Sequence, residues 1–114
     1  MSECIFCRIA AGRAPARLVW QDDEAVAFHD LHPQAPVHLL VIPRRHLVSV
    51  NAAAPADRDL LGHLLLVAAQ VARSAGLEAR GYRIVTNCGA DAGQSVFHLH
   101  LHVLGGRPMG WPPG

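Results

Sequence analysis

Near the C-terminus, three histidines alternate with apolar residues in Val96-Phe97-His98-Leu99-His100-Leu101-His102-Val103-Leu104. Alternation is the period of a strand, so one strand is expected across the whole stretch. Phe97, Leu99, Leu101 and Val103 would then face a core. His98, His100 and His102 would share the other face with Val96 and Leu104. Successive imidazoles would stand roughly 6.5–7 Å apart at about 3.3 Å rise per residue. A polar sheet face requires only polar side chains, and Thr, Ser or Lys would serve. A single histidine there reads as an ordinary hydrogen-bonded residue, but three in register ask for chemistry.

Two chemistries suit them. A tetrahedral metal ion takes nitrogens about 2.0–2.1 Å away. His98 and His102, about four rises or roughly 13 Å apart, cannot easily join His100 on one ion. At most two of the three share a metal. The alternative is nucleophilic catalysis, with one imidazole attacking phosphorus and a neighbour protonating the departing group. That requires the attacking ring's Nδ1–H to be held so that Nε2 is free, which a backbone carbonyl two residues earlier could do. The loop Gly93-Gln94-Ser95, just before the strand, offers backbone N–H groups and a hydroxyl as an anion cradle.

The elements that must position these residues follow from patterning. Residues 4–12 suggest a short helix closed by Gly12, with Ile5, Phe6 and Ile9 facing the body. Leu18–Gln21 and Ala25–His29 read as a hairpin around an acidic turn. Val37–Ile42 is an apolar strand broken only by His38. From Ala56 to about Ala75 the period becomes helical, with Leu60, Leu61, Leu64, Leu65, Ala68, Val71 and Ala72 on one face and Gly76 as the stop. Tyr82–Asn87 is a further strand. The expected fold is α+β: a five-stranded, mainly antiparallel sheet, one long helix and a short N-terminal helix, in a single domain over residues 1–114.

Totals narrow the function. The chain has 114 residues, 51% of them apolar and 17% charged, with a formal net charge of +1. Near-neutrality argues against a nucleic acid polymer as partner, since such proteins carry basic stripes. No apolar run is long enough to span a membrane. The start Met1-Ser2-Glu3-Cys4 lacks signal-peptide character, so a cytoplasmic location is expected. Three cysteines, an odd number, make a disulfide framework improbable in a reducing compartment.

His98-Leu99-His100-Leu101-His102-Val103-Leu104 resembles the signature of the histidine triad (HIT) family. Phe28-His29-Asp30, Pro33-Gln34-Ala35-Pro36, His38, Val41-Ile42-Pro43, His46, Gly81-Tyr82-Arg83, Gly93-Gln94-Ser95, Gly105-Gly106-Arg107 and Trp111-Pro112-Pro113-Gly114 extend the likeness across the chain. They are similar to the nucleotide-binding branch, the purine nucleoside phosphoramidases. The resemblance implies a HIT-like fold and hydrolysis of purine nucleoside 5′-phosphoramidates or acyl-adenylates. His100 would be the nucleophile, giving a nucleotidyl-histidine. His102 and Ser95 would hold the phosphate and assist the leaving amine, and His38 would support the cluster. Asp30 would bind ribose, with Leu31 and Phe28 against the base and Ile5, Phe6 and Ile9 walling its pocket. Asn87, Gly93 and Gln94 would contact ribose and phosphate. The resemblance also implies a homodimer, with the tail carrying Trp111 reaching toward the partner's site, and no metal in the chemistry. The alternative is a nucleotide-binding regulatory protein with vestigial catalysis.

Cys4-x-x-Cys7 suggests zinc or redox chemistry. Zinc-bearing relatives in the wider superfamily imply the ligand set Cys4, Cys7, His46 and His98, which would form a closed structural site. Free thiols are the other reading. Cys88 reads as a small buried residue, and His29, His32 and His63 as packing or surface residues.

Overall fold

A computed structural model describes residues 4–114; Met1–Glu3, part of the start read above for location, lie outside the described residues. The elements run α1 (Ile5–Ala10), β1 (Leu18–Gln21), β2 (Ala25–His29), β3 (Val37–Pro43), α2 (Arg58–Ser74), β4 (Tyr82–Val85) and β5 (Leu101–Gly105). The strands form one antiparallel sheet in the order β1-β2-β3-β5-β4. The expected α+β architecture is therefore what the chain adopts.

The sheet separates two apolar clusters, and strand parity assigns each residue to one of them. On one face, α2 lays Leu60, Leu64, Val67, Ala68, Val71 and Ala72 against Ala25, Ala27, Leu39, Val41, Leu99, Leu101 and Val103. On the other, Phe6, Ile9 and Ala10 of α1 pack on Val26, Phe28, Leu40 and Ile42. The triad histidines share this second face, away from the long helix. Both helices end on glycine. Gly12 and Gly76 adopt φ of 74° and 81°. Arg13 N–H then reaches Arg8 O and Leu77 N–H reaches Ala72 O, satisfying carbonyls at each helix end. Leu77, so placed, fills the core beside Gly105, where a Cβ would meet its side chain at 2.7 Å.

One carboxylate ties the far end of the sheet together. Asp22, in the β1–β2 turn, accepts from Trp20 Nε1, from the N–H groups of Glu24 and Ala25, and from His63 Nε2 of α2 at 2.7 Å. Burial pushes its carboxyl up, but these bonds more than compensate and hold it well below the usual carboxylate range. His63 thus pairs with a carboxylate rather than only packing.

Three expectations need correction. The histidine stretch is a strand only from Leu101; residues 96–100 are irregular, and Phe97 is 59% exposed rather than under α2. The backbone there is claimed by other partners. Leu99 N–H bonds Leu47 O, His98 O accepts from the His100 ring, and His100 O accepts from Thr86 Oγ1. For the same reason β4 stops at Val85, opposite His102, instead of continuing to Asn87. On α2, Leu65 is exposed and Val67 takes the inward place. The helical stripe is centred one step round from where the leucine run suggests.

Candidate active site and metal cluster

The histidines are set by hydrogen bonds that fix which nitrogen carries the proton. His100 Nδ1 donates to the carbonyl of His98 at 2.7 Å, so the neutral ring presents a bare Nε2. His38 lies opposite Leu104 in the β3–β5 ladder, one diagonal step from His102. Its Nδ1 accepts the N–H of Gln34 at 3.0 Å, which leaves the proton on Nε2. That proton faces His102 Nδ1 at 2.8 Å, with an Asp30 carboxylate oxygen further off at 3.4 Å. His102 Nδ1 is therefore an acceptor, and its neutral ring carries the proton on Nε2. Neighbouring rings, with centroids 4.9 Å apart, thus have opposite polarity: His100 offers a lone pair and His102 a proton.

Electrostatics keep the supporting rings uncharged. Burial, then the neighbouring His100 and His38, bring His102 down to about 4, against an upward pull from Asp30. Burial likewise lowers His38, again opposed by Asp30. Both rings are neutral at pH 7, as the proton assignment requires.

These rings open onto a cleft of about 310 Å³. Its apolar wall comes from α1 and β2, through Ile5, Phe6, Ile9 and Phe28. Asp30, Leu31, Ser95, His100 and His102 complete the lining, with Asp30 and His102 both close to His38. The volume is at the small end for ligand sites, which suits one nucleotide-sized molecule. Asp30 also accepts the N–H of His32, shaping its loop. His38 sits behind His102. Asn87, Gly93 and Gln94 are not in the lining. The Gln94 amide turns inward to Gly89 N, Val48 O and Val96 O. The N–H groups of Gly93 and Gln94 bond Ala90 O and Gly89 O, so Ser95 is the member of the expected cradle that meets the cleft. Trp111 is 82% exposed on the tail, over Arg83, and lines no part of this chain's own cleft.

Sequence reasoning missed Pro15, Ala16, Leu40 and Val96 in the lining, read His29 and His32 there as packing or surface residues, and missed the parts played by Gln34 N–H and Pro43 O. Leu40 was findable: it shares the parity of His38 on β3 and stands opposite His102. The two backbone groups carry no residue-type signal.

Behind the triad, Cys4, Cys7, His46 and His98 converge, with all four ligand atoms within 4.8 Å of one another. Cys4 Sγ lies 3.4 Å from His98 Nδ1, Cys7 Sγ 3.3 Å from His46 Nδ1, and the two Nδ1 atoms 3.1 Å apart. Zinc bond lengths of about 2.3 Å to sulfur and 2.0–2.1 Å to nitrogen give tetrahedral edges of roughly 3.3–3.8 Å. His98 Nε2 donates to Pro43 O at 2.8 Å, which turns the lone pair of Nδ1 into the cluster. A backbone carbonyl on the far nitrogen is the usual outer support of a metal-bound imidazole. Burial lowers the His98 pKa, with His46 and His100 adding to the effect and the Pro43 bond opposing it, so the ring is a neutral donor. The residues fit a Cys₂His₂ zinc site with no open position.

Oriented imidazoles lie at the mouth of an apolar cleft, on a five-stranded sheet backed by one long helix. The profile of the HIT domain family matches residues 11–109, and the chain belongs to that family. It is 53% identical to an uncharacterized HIT-like protein of Synechocystis sp. over 98% of this chain and 97% of that one. A solved HIT family hydrolase from Legionella pneumophila superposes with a TM-score of 0.96 at 47% identity, covering 98% of this chain and 100% of that one. The histidine triad nucleotide-binding protein of Candida albicans superposes at 0.83 with 29% identity, covering 96% and 83%.

Proposed function

We propose that this chain is a hydrolase of purine nucleoside 5′-phosphoramidates, and of related acyl-adenylates, acting through a nucleotidyl-His100 intermediate. The observation that carries the reading is the opposite polarity of His100 and His102 in one cleft. The His100 Nε2 lone pair bonds to the α-phosphorus as the bond to the leaving group breaks. The departing nitrogen takes the electron pair, together with a proton that His102 Nε2 passes on and recovers from solvent. Water then attacks phosphorus and gives up its proton to solvent through the same imidazole. The bond to His100 breaks, and the nucleotide leaves with the lone pair restored to Nε2. Ser95 holds the phosphate, Asp30 the ribose, and the wall of Ile5, Phe6, Ile9, Phe28 and Leu31 the base. Gly93 and Gln94 act from behind by shaping the loop that presents Ser95.

The Legionella and Candida proteins support hydrolase chemistry and nucleotide binding respectively. Zinc, held by Cys4, Cys7, His46 and His98, clips α1 to the sheet and takes no part in the chemistry. The working form is a cytoplasmic homodimer in which Trp111 serves the partner's cleft. Among the described residues, no helix is long and apolar enough to cross a membrane.

Trapping tests the reading. Brief reaction with adenosine phosphoramidate labelled at the α-phosphate should leave acid-labile label on the protein, and His100→Asn should abolish it. Steady turnover with no protein-bound label would replace this mechanism by direct attack of water. Nucleotide binding with no turnover at all would favour the regulatory reading.

A further inference from the structure

Cys4 and Cys7 span one turn at the start of α1, and Phe6 sits between them. The Phe6 ring stands edge-on to three others: His98 at 5.9 Å, His100 at 5.1 Å and Phe28 at 5.5 Å between centroids. It also lines the cleft. A single side chain therefore touches a ring of the Cys₂His₂ cluster, the ring of the nucleophile and the wall of the nucleoside cavity. His98 makes a second bridge. Its Nδ1 points into the cluster while its carbonyl holds Nδ1–H of His100.

The helix that carries Phe6 has six residues. A helix that short does not hold its shape alone; its packing and its ligands must hold it. Filling the cluster ties Cys4, which caps α1, and Cys7 within it to His46, after β3, and to His98, before β5. That fixes Ile5, Phe6 and Ile9, the same three residues of α1 that wall the cleft. A nucleotide packed against this wall orders the same segment. Two ligands that each order one segment bind more tightly together than alone, and by the same factor in both directions.

We infer that the Cys₂His₂ cluster and the nucleotide cleft are coupled, with Phe6 as the positioning residue that links them: zinc strengthens purine nucleotide binding, and nucleotide strengthens zinc binding. This rests on both the nucleotide and the zinc readings above. It assigns Phe6 a role beyond base packing, and it makes the metal site part of substrate recognition rather than a remote staple.

The test is a zinc titration of metal-free full-length protein against a chromophoric chelator, with and without saturating AMP. AMP should tighten zinc binding about fivefold or more, within the usual range for coupled sites. Metal-free protein should bind AMP more weakly by the same factor. Free AMP competes for zinc, so the ligand alone would shift the curve the opposite way. Phe6→Ala keeps all four ligands and should bind zinc while losing most of the AMP-dependent shift. Phe6→Leu gives the same readout with more packing retained, and far-UV circular dichroism checks that either variant is folded. Equal zinc affinity with and without AMP, when both bind, overturns the coupling and leaves the nucleotide reading intact. An undiminished shift in folded Phe6 variants overturns the assignment to Phe6. Failure of AMP to bind overturns the nucleotide reading, and failure of zinc to bind overturns the metal reading; either removes the coupling with it.

Discussion

The ring of His100 is bonded to the carbonyl of His98, two residues earlier, with Nδ1 and O 2.7 Å apart. The bond spends a ladder acceptor to aim a side chain, and it sets the direction in which His100 can react. Substituting His100→Asn removes the proposed nucleophile and keeps a polar side chain. Hydrolysis of an adenosine phosphoramidate should fall by roughly three orders of magnitude or more. AMP affinity by calorimetry should change by less than about threefold, because most of the wall is untouched.

In the proposed mechanism the proton on His102 Nε2 goes to the leaving group, so its importance depends on what leaves. His102→Ala should lower kcat by about 10²–10⁴ for an alkylamine leaving group. For a leaving group that departs without a proton, such as the carboxylate of an acyl-adenylate, the loss should shrink to within about tenfold. Equal losses across a leaving-group series would assign His102 to phosphate binding instead.

The direction of the pKa shifts of buried His38 and half-buried His102 sets a pH dependence of stability. His102 is lowered from 6.5 to about 4, and His38 is lowered as well, so the folded chain binds fewer protons than the unfolded chain between those values. Stability is therefore full above about pH 6.5 and is lost as pH falls toward 4. Urea unfolding at pH 7.5 and at pH 4.5 should differ by on the order of 1–3 kcal/mol from His102 alone. His102→Asn should flatten that slope. A slope rising toward acid pH would contradict the neutral, buried assignment.

A closed zinc site contributes to folding rather than to the reaction. Chelation should lower the thermal midpoint by about 5 °C or more, since each kcal/mol is worth about 4–8 °C in a domain near this size. The chemical step, measured at saturating substrate, should change far less. Metal analysis of purified protein should give one zinc per chain, and Cys7→Ser should give less.

Much of this was legible in residue order. The alternation of His98, His100 and His102 puts all three on the α1 face, His98 and His100 against Phe6 and His102 against His38, although bends at residues 96–98 break the alternation at Phe97. The cluster of Cys4, Cys7, His46 and His98 came from likeness to zinc-bearing relatives, and the structure brings those four together. Periodicity failed at residues 96–100, where side chains and a neighbouring loop take the backbone partners a strand would need. Such competition leaves no trace in a hydrophobic pattern. Leu65 failed for a different reason: in a helix crowded with leucine, several stripes look apolar, and only the sheet beneath chooses among them. Gln34 and Pro43 act through main-chain atoms, which any residue but proline could supply in the first case and any residue at all in the second.

The Asp22 carboxylate joins hairpin and long helix at four points. Mechanically it is a rivet: three of the bonds close the hairpin turn, and the fourth pins that turn to the long helix through His63. On the other face of the sheet the six-residue α1 stands over the cleft, tied down by its apolar packing and by Arg44, whose Nη1 donates to Ala10 O. In the proposed reading α1 is the roof of the cavity, and its two thiols fasten it to the sheet through zinc.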